Sequence, residues 1–210
     1  MVPELERLIQ AHQNIVFFGG AGVSTESGIP DFRSVDGLYH QKFKYPPETM
    51  LSHTFYETHT AEFFDFYRQK LIVHGAKPNA AHLRLAALER EGKCRAVVTQ
   101  NIDGLHQAAG SKTVYELHGS TLRNYCTRCG KFFPVQFIED AAGVGDGVPR
   151  CDECGGIVKP DVVLYEEGLD EETMENAVHA ICGADTLIVG GTSLAVYPCL
   201  LYTSPSPRDS

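Results

Sequence analysis

The sequence predicts an α/β fold, a doubly wound parallel sheet with a smaller module inserted into it. Three observations predict it. Short apolar runs rich in β-branched and aromatic residues alternate with longer helical patterns, the order that builds a parallel sheet covered by helices. The first such run, Asn14-Ile15-Val16-Phe17-Phe18, opens directly into Gly19-Gly20-Ala21-Gly22, where a backbone can approach a ligand closely and present amide N–H groups to an anion. Two Cys-x2-Cys pairs lie between the later strands and mark a separate unit.

The elements follow in order. Leu5, Leu8, Ile9 and His12 share one face of a first helix. The strand at 14–18 leads into the glycine loop. Between Val35 and Gly75 lie a basic loop, Lys42-Phe43-Lys44-Tyr45-Pro46-Pro47, and one aromatic-rich helical stretch from Phe55 to Val73. Ala80 to Glu91 is a helix closed by Gly92. Arg95 to Thr99 is a strand that delivers Gln100-Asn101-Ile102-Asp103 at its carboxyl end, and Thr113 to Leu117 is another, ending on His118. After the cysteine region at 121–157, Val162 to Tyr165 is expected to return to the sheet. Asp170 caps a helix running to Ile181 with Gly183 after it, and Thr186 to Val189 is a strand leading into Gly191-Thr192-Ser193. In a doubly wound sheet ligands bind beyond the carboxyl ends of the strands. All the distinctive segments fall there.

Composition narrows the function. A chain of 210 residues with net charge −9 and pI near 5.4 lacks the basic balance of a nucleic-acid binder; it suits partners that carry lysine. No apolar run reaches the roughly 20 residues that span a bilayer, so no membrane partner is expected. Met1-Val2-Pro3-Glu4-Leu5-Glu6-Arg7 is charged where a secretory leader is apolar, which points to a cytoplasmic protein.

Of seven cysteines, Cys126-x2-Cys129 and Cys151-x2-Cys154 are separated by twenty-one residues, zinc-ribbon spacing. Four thiolates fill a tetrahedral shell, so this zinc is expected to be structural. Disulfides are the competing use, disfavoured where there is no secretion signal. Cys94 and Cys182 read as buried core.

The string from Gly19 to Ser34, Gly-Gly-Ala-Gly-Val-Ser-Thr-Glu-Ser-Gly-Ile-Pro-Asp-Phe-Arg-Ser, resembles the signature of the sirtuins, the NAD-dependent protein lysine deacylases, of bacterial type. Further blocks agree in family order: Thr99-Gln100-Asn101-Ile102-Asp103-Gly104-Leu105-His106, Glu116-Leu117-His118-Gly119, Lys159-Pro160-Asp161-Val162-Val163 and Gly191-Thr192-Ser193-Leu194. The resemblance implies a Rossmann-like NAD-binding domain (residues 1–35, 78–120 and 158–198) and a small domain built from a helical module (36–77) and the zinc-binding module (121–157), with 199–210 a non-native or disordered tail.

It also implies a chemistry in which NAD is consumed. The acyl oxygen of acetyl-lysine attacks the nicotinamide-bearing ribose carbon, nicotinamide leaves, and a base activates a ribose hydroxyl to attack the resulting imidate. Lysine, nicotinamide and O-acetyl-ADP-ribose are the products. Hydride transfer is disfavoured by the missing third glycine of GxGxxG and the missing acid about 20 residues on. His118 stands at the family's base, and an imidazole accepts a proton near neutral pH. Asn101 and Asp103 match the nicotinamide-pocket pair, Asp103 accepting from the carboxamide and Asn101 holding the ribose or a water, and Gln100 is placed for ribose hydroxyls. Gly20, Ala21, Gly22, Asp31, Phe32, Arg33 and Ile102 complete the phosphate and nicotinamide side, with Phe32 folding over the departing ring. Gly191, Thr192 and Ser193 match the adenosine side. Val162, Val163 and Leu164, with Ala195 to Tyr197, resemble edges between which an acetylated protein segment inserts as a strand.

Relatives that remove succinyl or malonyl groups carry a Tyr-x-x-Arg pair in the acyl pocket. Here Arg68 aligns with the arginine but Asp65 with the tyrosine, and aspartate repels an acidic acyl chain. Acetyl is therefore the expected group. ADP-ribosyl transfer or NAD hydrolysis is the alternative use of the same bond cleavage. The family continues past its Gly-Thr-Ser-Leu block, whereas this chain passes into Ser204-Pro205-Ser206-Pro207-Arg208-Asp209-Ser210, a low-complexity tail that reads as foreign or disordered. On that expectation the chain is weakened in stability and NAD affinity, an inactive NAD- and zinc-binding module is a third reading, and a restored C-terminus raises the melting temperature.

Overall fold

The computed structural model describes residues 3–31 and 44–193. Helix α1 (Pro3–Ala11) leads to strand β1 (Ile15–Gly19), followed by two short 3-10 turns at Ala21–Val23 and Thr25–Ser27. Helices α2 (Pro47–Met50), α3 (His53–Thr58), α4 (Thr60–Lys70) and α5 (Ala80–Arg90) precede strand β2 (Cys94–Thr99). Then come α6 (Leu105–Ala108), β3 (Val114–Glu116), β4 (Gly119–Cys126), β5 (Phe132–Pro134), α7 (Val135–Asp140), β6 (Val158–Val162), α8 (Glu171–Cys182) and β7 (Thr186–Gly190).

Four strands form a parallel sheet in the order β3-β2-β1-β7. The alternation of β1 explains why both faces are covered. Ile15 and Phe17 pack with Ile9 of α1 and Leu85 and Leu88 of α5; Val16 and Phe18 face Ala177 and Met174 of α8. Every residue of β1 is buried, as a strand flanked on both faces requires. The long helices start on side-chain caps. Asn79 accepts from Ala81 N and His82 N at the head of α5, and Asp170 accepts from Thr173 N at the head of α8, satisfying donors that have no partner inside the helix.

Three other strands form an antiparallel sheet, β5-β4-β6. It shares one core with α3, α4 and α7, built on Phe55, Phe63, Phe64, Tyr67, Phe133 and Ile138.

Four expectations need correction. The helix foreseen from Phe55 to Val73 is two, broken at His59. Thr58 and Thr60 turn their hydroxyls back onto the carbonyls of Thr54 and Tyr56, and such back-bonding competes with helix propagation. The strand foreseen at Val162–Tyr165 is instead β6, and it joins the antiparallel sheet. Pro160 lies within it and is tolerated because β6 is an edge strand. Leu8 is 45% exposed rather than packed beside Ile9, and Cys182 is exposed rather than core. No helix among the described residues is long and apolar enough to cross a membrane.

Candidate active site

The carboxyl ends of all four parallel strands meet on one side. Gln100 N donates to Gly19 O at 2.9 Å, Leu117 N to Thr99 O at 2.9 Å, and Gly20 N to Gly190 O at 3.3 Å, so the loops after β1, β2, β3 and β7 are sewn together. Thr192 Oγ1 donates to Gln100 Oε1 at 2.9 Å, crossing from the β7 loop to the β2 loop. Gln100, Asn101, His118, Gly20, Gly22, Gly191 and Thr192 are thereby brought to one crevice from four separate stretches of sequence.

His118 lies one residue beyond the β3–Leu117 segment. Its Nδ1 is 3.0 Å from the carbonyl of Gln100. A carbonyl only accepts, so Nδ1 carries the proton and the lone pair of the neutral ring sits on Nε2. Burial lowers the His118 pKa, partly opposed by that carbonyl; the imidazole is neutral at neutral pH and able to accept a proton.

Deeper in the crevice Ser24 organises two of the predicted residues. Asn101 Nδ2 donates to Ser24 Oγ at 3.0 Å, and Ser24 Oγ donates to Asp103 Oδ2 at 2.6 Å. Asp103 Oδ1 accepts from Leu105 N at 2.9 Å. His82 Nδ1 accepts from Asn79 N at 3.3 Å as part of the α5 capping box. That leaves the proton on Nε2, 3.5 Å from Ser24 Oγ. Behind it lies the ring of His106, 4.7 Å away. Sequence reasoning assigned no role to Ser24 or His82. The capping pattern Asn79-x-x-His82 was readable, but nothing in it tells which loop the other ring nitrogen meets.

One feature of the crevice fits a dinucleotide. The amide Nε2 of Gln100 is buried without a partner, a donor whose desolvation is offset only by an incoming acceptor. The glycine backbones around it are packed closely: a Cβ on Gly20 would stand 2.8 Å from Gln100 Oε1 and 2.9 Å from Thr192 Cβ. Gly20 N and Gly22 N are already engaged with the carbonyls of Gly190 and Gly191. Those amides serve to join the two loops, a use the sequence reading had given to an anion. Ile102 contributes its carbonyl, which accepts from Thr121 N and Oγ1. Asp31 and Ser193 lie at the limits of the described residues, and Phe32, Arg33 and Tyr197 fall outside them.

On the far side of His118, its carbonyl accepts from Val163 N at 3.0 Å, and Gly119 pairs with Val162. Leu164 N donates to Glu167 Oε2 at 2.8 Å, and that carboxylate also receives Lys159 Nζ at 3.1 Å. Val162, Val163 and Leu164 thus form a braced edge one hydrogen bond from His118. Asp65 and Arg68 are placed differently. Asp65 is exposed on α4, and the Arg68 guanidinium donates to the carbonyls of Ile138 and Gly147 at 3.3 and 2.9 Å.

The four paired cysteines converge. Their sulfurs lie within 4.8 Å of one another, with Cys126–Cys154 at 3.3 Å and Cys129–Cys151 at 3.7 Å. Tetrahedral Zn–S bonds of about 2.3 Å place sulfurs about 3.8 Å apart, so the set fits one zinc ion. None of the four is in a disulfide. Backbone bonds from Gly130 N to Cys126 O and from Gly155 N to Cys151 O, both 2.9 Å, close the two knuckles.

A sequence profile of the Sir2 family matches residues 20–198. The chain belongs to the Sir2 family. This Sir2 chain is 63% identical over 199 residues to an NAD-dependent protein deacetylase of Clostridium acetobutylicum, covering 94% of this chain and 80% of the relative. It is 59% identical over 199 residues to a protein of the same description from Clostridium perfringens, with the same coverage. Among solved structures, one described as the structural basis of sirtuin substrate affinity superposes with a TM-score of 0.86 at 38% identity, covering 97% of this chain and 82% of its own. A Sir2–p53 peptide–NAD+ structure gives 0.85 at 39% identity, covering 97% and 80%.

Proposed function

We propose that this Sir2 chain is an NAD-dependent protein deacetylase in which His118 is the general base of the crevice and a lysine-acetylated protein segment lies along Val162–Leu164. The observation that carries the reading is the His118 imidazole. It is neutral by burial, its Nδ1 proton is held on the Gln100 carbonyl, and its carbonyl is tied to the peptide edge through Val163 N. NAD supplies, when bound, an electrophilic ribose carbon and a nicotinamide leaving group. Every other part is the chain's own. Gln100 Nε2 meets a ribose hydroxyl oxygen, and Asn101 and Asp103, held by Ser24, bind the nicotinamide side; an Asp103 oxygen that accepts one hydrogen bond keeps capacity for a carboxamide N–H. Gly20, Ala21, Gly22 and Asp31 with Phe32 and Arg33 line the phosphates and the leaving group, and Gly191, Thr192 and Ser193 the adenosine side. The four cysteines hold a structural zinc, which suits a reducing compartment such as the cytoplasm. The net charge of −9 favours basic protein segments over nucleic acid as partners.

The acyl group is small and neutral. The Arg68 guanidinium is drawn through NH1 to two carbonyls, which competes with pairing to a distal carboxylate, and Asp65 one turn away on α4 repels one. The test is nicotinamide release with NAD, with and without an acetyl-lysine peptide and a succinyl-lysine peptide. Release that depends on the acetylated peptide, is at least tenfold slower with the succinylated one, and disappears in His118→Ala is the expected result. Peptide-independent release would point to NAD hydrolysis instead.

A further inference from the structure

The chain around His118 is held from both sheets by one guanidinium. Glu116 is the last residue of β3 in the parallel sheet, and Asp161 is in β6 of the antiparallel one. Arg123, in β4, donates through its NH1 to Glu116 Oε2 at 2.7 Å and through Nε to Asp161 Oδ2 at 2.8 Å. Its location has a backbone cause. The pairing of β4 with β6 runs Gly119↔Val162 and Ser120↔Asp161, then resumes only at Asn124↔Pro160. The three residues Thr121, Leu122 and Arg123 bulge from the ladder, and a bulge re-aims its side chains. Thr121 uses the bulge to reach the carbonyl of Ile102 at 3.0 Å; Arg123 uses it to reach back to Glu116. His118 lies inside the loop so closed, between Glu116 and Gly119. At Gly119 the two backbones touch: φ is +76°, and a Cβ would fall 2.8 Å from the carbonyl carbon of Asp161, so this segment cannot slide without breaking the contact.

We propose that Arg123 is a positioning residue for His118: shared between Glu116 and Asp161, its guanidinium fixes the segment carrying the imidazole relative to the Val162–Val163 edge. The proposal rests on the reading of His118 as the base. Glu116 is the sensitive partner, with a side chain only 6% exposed, because a buried carboxylate that loses its counter-charge relaxes the strand end that holds it. Two donors in a rigid fork serve two carboxylates at once, which the single ammonium of lysine does less well.

In Arg123→Met the expected result is a kcat about tenfold or more below wild type, since small misplacements at a reacting centre cost up to about a hundredfold, with KM for NAD changed less than about twofold. Arg123→Lys recovers part of the loss. Glu116→Gln combined with Arg123→Met loses no more than Arg123→Met alone, because the orphaned charge is gone. The NMR signal of the His118 imidazole C–H, assigned by its loss in His118→Ala, moves in Arg123→Met and returns toward its wild-type position in Arg123→Lys. If Arg123→Met does not fold, Arg123→Lys, assayed below its melting temperature, carries the comparison. A kcat within twofold of wild type in the folded Arg123 variants, or losses that multiply in the double variant, overturns the proposal. A wild-type chain without peptide-dependent nicotinamide release refutes the deacetylase reading instead, and an unmoved His118 signal then refutes the clamp on its own.

Discussion

Histidine placement decides more in this molecule than histidine number. His118, His82 and His106 all have pKa values lowered mainly by burial, but they do different work. His118 holds its Nδ1 on the carbonyl of Gln100 and is the proposed base of the crevice. His106 is 1% exposed with neither ring nitrogen hydrogen-bonded, faces His82 and the ring of Phe17, and has its pKa brought down to about 4, by burial first and by His82 second, with Asp103 opposing. A histidine with a depressed folded pKa contributes stability that is complete above its unfolded value near 6.5 and is lost as pH falls toward the folded value. Between pH 6.5 and 4 His106 alone should cost on the order of 3 kcal/mol. The melting temperature of wild type should therefore fall more steeply than that of His106→Leu as pH drops from 7 to 4; parallel curves would show that His106 is not the group that charges.

At the scale of elements, the strand ends are joined by backbone as much as by side chains. Gly191 has φ +64°, and a Cβ there would lie 2.6 Å from Val23 Cγ2 and 2.8 Å from the carbonyl carbon of Gly22. Gly75 has φ +71° with nothing near a Cβ. Both glycines should pay about 1–2 kcal/mol for an alanine in the left-handed region; only Gly191→Ala must also part the β1 and β7 loops. Denaturant unfolding should show Gly75→Ala losing no more than that first amount, and Gly191→Ala distinctly more, with weakened NAD binding. Equal losses would mean that the loops are not packed as tightly as their contacts indicate.

For the whole molecule, the two sheets differ in what they rest on. The parallel sheet has apolar layers on both faces. The antiparallel one places two of its metal-ligating cysteines, Cys126 and Cys151, inside its core among the aromatic residues of α3 and α4. Removing zinc should thus unfold the antiparallel unit first, since the bonds from one ion to four sulfurs lying within 4.8 Å of one another tie the two knuckles together, and the freed sulfurs take up protons when the ion leaves. Metal analysis should give one zinc per chain, and a strong chelator or Cys151→Ser should lower the melting temperature and expose Tyr56 and Tyr67 to solvent. An unchanged melting curve after complete zinc loss would refute a structural metal.

Much of this was legible in the chain. β1, β2, α5, α8 and β7 were each placed within a residue or two, because strand runs of two-sided burial and helices with side-chain caps carry their signal locally. The cysteine spacing gave the metal set, and the motif segments gave the crevice, since strand order alone puts carboxyl ends together. What only the tertiary structure decided lies in contacts between distant segments. Ser24 meets Asn101 and Asp103 across some 80 residues, and His82 joins them from α5. Arg68 turns to carbonyls of the zinc unit rather than to the crevice. Residues 158–162 pair with β4 instead of returning to the parallel sheet, and Arg123 closes on Glu116 and Asp161 through a bulge. Sequence patterns report which face of an element is buried; which partner buries it depends on how the sheets are placed against each other, and no local period encodes that.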